Sequence, residues 1–123
     1  MALTGLSIAA EIRLPPWLAA WQVPAAPVSD SAAMALALDI ARENVARGSG
    51  GPFGAVVRGD SSGEIVSVGV NLVPPTANPV LHAETVALSL AAARLAGEPM
   101  TLFTSCEPCI MCLGALHWSG VSR

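Results

Sequence analysis

The chain has 123 residues, enough for one domain with a real core but too few for two. Because 53% of the residues are hydrophobic and only 12% are charged, with a mean hydropathy of +0.59, we expect either an oligomer, most simply a homodimer, or a missing piece of chain that would cover the apolar surface. The net charge of −3 disfavours a nucleic-acid partner. Charged side chains interrupt every apolar run before the roughly 18 residues of a membrane span, which disfavours a membrane protein.

The cysteine pattern and the N-terminus indicate the compartment. No basic stretch precedes the first apolar residues, so a secretory signal is not predicted and a cytoplasmic location is expected. All three cysteines fall within residues 106–112, which rules out a disulfide framework. In a reducing compartment, such clustering indicates metal or redox chemistry.

Residues 1–28 carry four prolines and are predicted to form an irregular N-terminal extension to a domain of residues 29–123. A short helix over residues 17–21 would dock Trp17 and Trp21 on that domain. The apolar spacing of residues 31–47 predicts a helix, with Ser29 or Asp30 as N-cap and Gly48 as its stop.

The middle of the chain alternates between β-rich and helical patterns. Residues 53–58 and 64–71 are predicted strands joined by a turn at 59–63, and residues 72–79 are a predicted loop. A helix over 80–95, a strand over 100–104 and a helix over 109–118 follow, and residues 121–123 resemble the start of another strand. This order predicts an α/β protein, a three-layer α/β/α sandwich with a mixed sheet.

Three side chains at predicted helix starts form a candidate metal site. His82, Cys109 and Cys112 supply one imidazole and two thiolates, and three protein ligands with an open fourth position are typical of a catalytic zinc. Glu84 is not needed as a ligand and is placed to move protons. The H-x-E pair followed by P-C-x-x-C is a described signature of zinc deaminases.

Three alternatives fit parts of this pattern. The spacing of the cysteines equals the first three of a ferredoxin-type run, but the chain has no fourth cysteine. A thioredoxin-like redox role would leave His82 and Glu84 unexplained. Cys106 could complete a four-ligand structural zinc site, although we interpret it as a packed residue. Two further residues receive ordinary interpretations: His117 is a surface or interface residue, and Glu107 is a charge at the start of a helix.

Four stretches together resemble the cytidine deaminase-like superfamily, and within it the bacterial guanine deaminases, including the subset that also handles the aminotriazine ammeline. They are residues 50–57 (GGPFGAVV), 69–71 (GVN), 80–84 (VLHAE) and 101–118 (TLFTSCEPCIMCLGALHW). Residues 14–17 (LPPW) and 116–121 (LHWSGV) are similar to that subset.

The resemblance implies one Zn²⁺ per chain, held by His82, Cys109 and Cys112, with Glu84 shuttling protons during conversion of guanine to xanthine and ammonia. It further implies that the nucleobase or aminotriazine is bound by Phe53, Asn71, the backbone at Ala83, and Trp118. The alternative is a core role for Phe53 and Trp118 and a turn-forming role for Asn71.

The resemblance covers about residues 30–123, whereas guanine deaminases continue with further strands and a C-terminal helix. We therefore expect this chain alone to be poorly active. A transfer RNA adenosine deaminase, a cytosine or nucleoside deaminase and a non-catalytic zinc scaffold are the alternative functions. Six basic against nine acidic residues leave no basic footprint for RNA.

Overall fold

Eight helices and strands follow one another in the computed structural model, which describes residues 11–94 and 97–123. They are α1 (Pro16–Ala19), α2 (Asp30–Ala46), β1 (Gly54–Gly59), β2 (Ile65–Val70), α3 (Val73–Thr76), α4 (Ala83–Ala91), β3 (Met100–Thr104) and α5 (Ile110–Ser119). Every main helix and strand of the sequence prediction is present and in order. Residues 1–10 of the predicted extension and Leu95 of a predicted helix lie outside the described residues.

The three strands form one sheet in the order β2-β1-β3, and both strand pairs are antiparallel. Strands β2 and β3 therefore point the same way on either side of β1. Two hydrogen bonds join the outer edge of β3 to residues 122–123: Ser122 N–H donates to the Met100 carbonyl (2.9 Å), and Leu102 N–H donates to the Arg123 carbonyl (2.8 Å). Residues 122–123 thus advance alongside β3 in its own direction.

Helices cover both faces of the sheet, which confirms the α/β/α layering. Because side chains alternate along a strand, Val56 packs with Ile40 of α2, while Ala55 and Val57 pack with Ala87 of α4 on the other face. These strand residues are fully buried. The core therefore lies in two layers, one between α2 and the sheet and one between α4 and the sheet.

Helix α4 begins at Ala83, three residues later than the sequence predicts. Residues 79–80 before it form a turn, in which Leu81 N–H donates to the Asn78 carbonyl at 3.2 Å, and the Leu81 carbonyl accepts a hydrogen bond from Leu72 N–H at 3.0 Å. His82 is consequently the N-cap, with φ −71° and ψ 160°, and not a residue of the first turn. His82 thus lies between this turn and the first residue of α4.

The predicted loop 72–79 contains the single-turn helix α3, whose first turn accepts proline because the missing N–H would be unpaired there in any case. Helix α5 starts at Ile110, so Cys109 is its N-cap, and Gly120 ends it in the left-handed region (φ 77°) as predicted. Ser29 caps α2 as predicted, accepting a hydrogen bond from Ala32 N–H at 3.2 Å.

Helix α1 docks on the domain through its aromatic side chains. Trp17 and Trp21 meet edge to face with ring centroids 5.7 Å apart and pack against the core beside α2, as expected. The division of the chain after residue 28 stays a prediction. In residues 11–94 and 97–123, none of the helices has both the length and the apolar character that crossing a membrane requires.

Candidate active site

The predicted metal ligands meet where α4 and α5 begin. The Cys109 Sγ lies 3.5 Å and the Cys112 Sγ 3.6 Å from the Nδ1 of His82, and the two sulfurs are 3.6 Å apart. His82 and Cys109 occupy the two N-cap positions, and Cys112 follows within the first turn of α5. His82 is therefore joined to two cysteines that lie 27 and 30 positions later in the chain, and the three donor atoms form one triangle.

The size of this triangle fits zinc. Bond lengths of about 2.1 Å to nitrogen and about 2.3 Å to sulfur in a tetrahedron separate ligand atoms by roughly 3.6 Å for N and S and roughly 3.8 Å for two sulfurs. The three measured separations lie close to these values. Within the described part of the chain, this is the one group of three or more His, Cys, Asp or Glu side chains with donor atoms spaced to hold a metal.

The two thiols differ in their acidity. Burial raises the pKa of the fully buried Cys112 to about 12. Hydrogen bonds from the backbone N–H groups of Cys112 and Met111, at the start of α5, lower the pKa of the exposed Cys109. Cys109 is therefore the readier thiolate, whereas Cys112 needs a cation beside it to lose its proton.

Glu84 lies next to the triangle without belonging to it. Its side chain is buried, with 6% of its surface exposed. The hydroxyl of Thr104 donates to Oε1 at 3.1 Å, and the Cys112 Sγ lies 3.5 Å from Oε2. A carboxylate held in this way can accept a proton from a water molecule at the site and pass it to a bound molecule.

An open cavity of about 250 Å³ gives access to these groups. Its walls comprise side chains from four parts of the chain: Phe53, Asn71, His82, Glu84, Cys106, Glu107 and Cys109. The Asn71 N–H donates to the Phe53 carbonyl at 3.1 Å, which ties two of the walls together. An aromatic face, an amide and two carboxylates thus border the same space as the ligand triangle.

Two of the predicted base-binding residues are placed elsewhere. Ala83 is fully buried, and Trp118 is 86% exposed on α5, where it stacks edge to face with His117 at 5.3 Å. Neither lines the cavity, so their roles stay predictions. His117 is exposed, in agreement with its interpretation as a surface residue.

Sequence reasoning missed two residues of the cavity wall. Cys106 was expected to be packed, but it is exposed and lines the cavity together with Glu107. Cys106 does not belong to the triangle of metal donors. The available signal was their position in the short loop between β3 and the N-cap of α5, since loops at strand ends commonly carry functional groups.

Comparison with known sequences identifies the family. Residues 27–123 match the cytidine and deoxycytidylate deaminase zinc-binding region, and the chain belongs to this family of zinc-dependent deaminases. It is 44% identical over 86 residues to a guanine deaminase of Bacillus subtilis, covering 68% of this chain and 54% of that protein. It is 35% identical over 97 residues to a tRNA-specific adenosine deaminase of Haemophilus influenzae, covering 76% and 55%. The chain therefore spans about half the length of these relatives.

Solved structures give the same result for the fold. A guanine deaminase from Nitrosomonas europaea superposes with a TM-score of 0.81 at 38% identity, covering 94% of this chain and 68% of that one. A related structure in complex with 2,6-diaminopurine gives a TM-score of 0.77 at 42% identity, covering 90% and 63%. The expected superfamily and its resemblance to guanine deaminases are confirmed.

Proposed function

We propose that the chain is the zinc-binding part of an enzyme that hydrolytically deaminates a free nucleobase, most simply guanine to xanthine and ammonia. The observation that carries this proposal is the placement of the Glu84 carboxylate beside a His82, Cys109 and Cys112 triangle of zinc dimensions, at the wall of one cavity. A redox pair or a closed structural site would have no use for this carboxylate.

In this mechanism the chain supplies the ligands and the proton carrier. His82, Cys109 and Cys112 would hold one zinc ion, and a zinc ion held there would supply the activation of water for attack on the carbon that bears the exocyclic amine. Glu84 takes one proton from the attacking water and delivers it to the ring nitrogen. The second proton of that water, now on the new C–OH group, passes through Glu84 to the amine; the C–N bond then breaks, ammonia leaves and the carbonyl forms. The Thr104 hydroxyl, bonded to Oε1, fixes the direction of the carboxylate.

The substrate class is supported by the cavity walls and by the relatives. Phe53 offers a face for a flat ring and Asn71 an amide for its polar edge. Similar proteins have been solved with the purine analogues 2,6-diaminopurine and 8-azaguanine bound. A small aminated base is favoured over transfer RNA because the net charge of −3 repels a polyanion. Ammeline shares the amidine group and is a second substrate under the same proposal.

An ammonia-release panel tests the substrate class. Zinc-loaded 123-residue chain, and a longer protein that contains it, would be incubated with guanine, ammeline, cytosine, cytidine, adenosine and a tRNA anticodon stem-loop. Release from guanine above all others is the expected result, whereas preferential release from the stem-loop would replace the proposal with tRNA adenosine deamination. No release from any amine by either protein would favour a zinc-binding scaffold.

We also propose that the protein is a cytoplasmic homodimer. Three large apolar side chains of α5 are exposed, namely Ile110, Leu113 and Trp118, and a second copy would remove them from water. Thiol ligands persist in a reducing compartment, which supports the cytoplasm. Sedimentation of the zinc-loaded protein tests the dimer; a monomer at micromolar concentration would contradict it.

A further inference from the structure

A buried amide at the end of α2 holds two loops that border the cavity. Asn44 is fully buried. Its Nδ2 donates to the carbonyl of Gly51 at 2.8 Å and to the carbonyl of Asn71 at 3.0 Å. Its Oδ1 accepts a hydrogen bond from the Ser49 hydroxyl at 2.8 Å. Both donors and the acceptor of this amide are thus used by three different partners.

The two bonded carbonyls belong to the chain segments that carry the proposed base-binding walls. Gly51 stands two residues before Phe53, and Asn71 follows directly after β2. These segments touch, because a Cβ atom at Gly51 would come within 2.9 Å of the Asn71 Oδ1. The Asn44 side chain therefore clamps the segment that leads into Phe53 against Asn71, in addition to the direct bond from Asn71 N–H to the Phe53 carbonyl.

The same hydrogen-bond chain extends to the N-terminal segment. The indole Nε1 of Trp17 donates to the Ser49 hydroxyl oxygen at 3.0 Å, and the Arg47 guanidinium lies 5.7 Å from the Trp17 ring centroid. The Ser49 hydroxyl in turn donates a hydrogen bond to the Asn44 Oδ1. A continuous path of directed hydrogen bonds thus runs from α1 to the cavity walls.

We propose that Asn44 is a positioning residue for base binding, oriented by Ser49 and Trp17, that holds the segment leading into Phe53 against Asn71. The inference rests on the proposed function, in which those two side chains contact the base. It concerns binding and not the chemical step, since the ligand triangle and Glu84 are carried by α4 and α5. Loosening the clamp should therefore affect KM and leave zinc binding intact.

The variant Ser49→Ala tests the clamp with Asn44 still in place. Loss of one partly buried hydrogen bond should raise KM for guanine about fivefold, with kcat and zinc content unchanged. Trp17→Phe, which keeps an aromatic ring but removes the donor, should give a smaller change in the same direction. Ser122→Ala is the matched control, because its hydroxyl donates a partly buried hydrogen bond to the Met100 carbonyl (2.7 Å) at the start of β3, outside this network, and it should leave KM unchanged.

Hydrogen exchange provides a readout that needs no turnover. In the zinc-loaded protein, Ser49→Ala should speed amide exchange in residues 50–53 and 71–73 but not in residues 83–87, relative to wild type and to Ser122→Ala. Unchanged exchange, or faster exchange with an unchanged KM, overturns the inference. If wild type does not deaminate guanine, the proposed function fails. In that case, amide exchange and the affinity for 2,6-diaminopurine, each compared between wild type and Ser49→Ala, decide whether Asn44 positions the cavity walls at Phe53 and Asn71.

Discussion

At the scale of single residues, Glu84 carries the proposed chemistry. Its side chain is buried and accepts a hydrogen bond from Thr104. Among the hydrogen bonds of the described residues, its one contact with the metal-binding side chains is with the Cys112 thiol. Its carboxylate can therefore be changed to an amide without removing a ligand. This separates proton transfer from metal binding more cleanly than any substitution in the triangle.

Glu84→Gln should retain one zinc per chain and lose ammonia release by about 10²-fold to 10⁴-fold, because an amide cannot carry the proton. Metal analysis and an ammonia assay measure the two quantities in the same sample. Glu107→Gln is the matched control, since this carboxylate lines the same cavity without contacting the triangle. Equal losses in both variants would argue against a special role for Glu84.

The three cysteines should also differ in their tolerance of substitution. Cys106→Ser should keep both zinc and activity, because its sulfur is exposed and lies outside the triangle. Cys112→Ser should lose the metal, since the Cys112 Sγ is a corner of the triangle. Zinc content after dialysis checks both expectations. Loss of zinc from Cys106→Ser would indicate a four-ligand structural site.

At the scale of elements, close contact between β2 and α4 fixes the distance of α4 from the sheet. Gly69 lies directly under α4, where a Cβ atom would overlap the Ala83 carbonyl oxygen and reach 2.6 Å from the Ala87 nitrogen. Both contacts are with backbone atoms, which cannot rotate away. Since α4 carries Glu84 and follows His82, its distance from the sheet bears on the geometry of the site.

Gly69→Ala should consequently lower stability by about 1–3 kcal/mol and weaken zinc binding, because overpacking displaces α4. Thermal unfolding with and without zinc measures both effects. Gly114→Ala is the control: it adds the same methyl group in α5, where nothing lies within 4 Å of the new Cβ. That variant should be neutral or slightly more stable, since alanine favours helix. Similar losses in both would contradict the packing argument.

The sequence predicted the elements well where the signal is local and less well where it is not. Strand β3 and the caps Ser29 and Gly120 were predicted at their observed positions. The start of α4 was wrong, because the pairing of Leu72 with Leu81 that delays it joins two segments. The triangle was predictable from its motif, whereas the Asn44 clamp depends on a partner 27 residues away.

At the scale of the whole molecule, metal binding is coupled to protonation. The pKa of Cys112 is raised to about 12, so at neutral pH the metal-free protein holds a proton that zinc must displace. Affinity should therefore rise with pH, by roughly tenfold per unit for each proton released. Chelator competition at pH 6 and pH 8, or calorimetry in buffers of different protonation enthalpy, measures this. An affinity independent of pH would contradict the thiolate assignment.

The capping of α4 and α5 has a consequence for the protein when zinc is scarce. His82 occupies the N-cap position of α4 without making the side-chain hydrogen bond that serine or aspartate usually provides there, which is worth about 1 kcal/mol, and the N-cap of α5 is the thiol of Cys109. The ion that ties these residues together would also fasten both helix ends. In zinc-depleted protein we expect the first turns of α4 and α5 to fray before the sheet opens, so that local proteolysis near residues 82 and 109 would report metal occupancy.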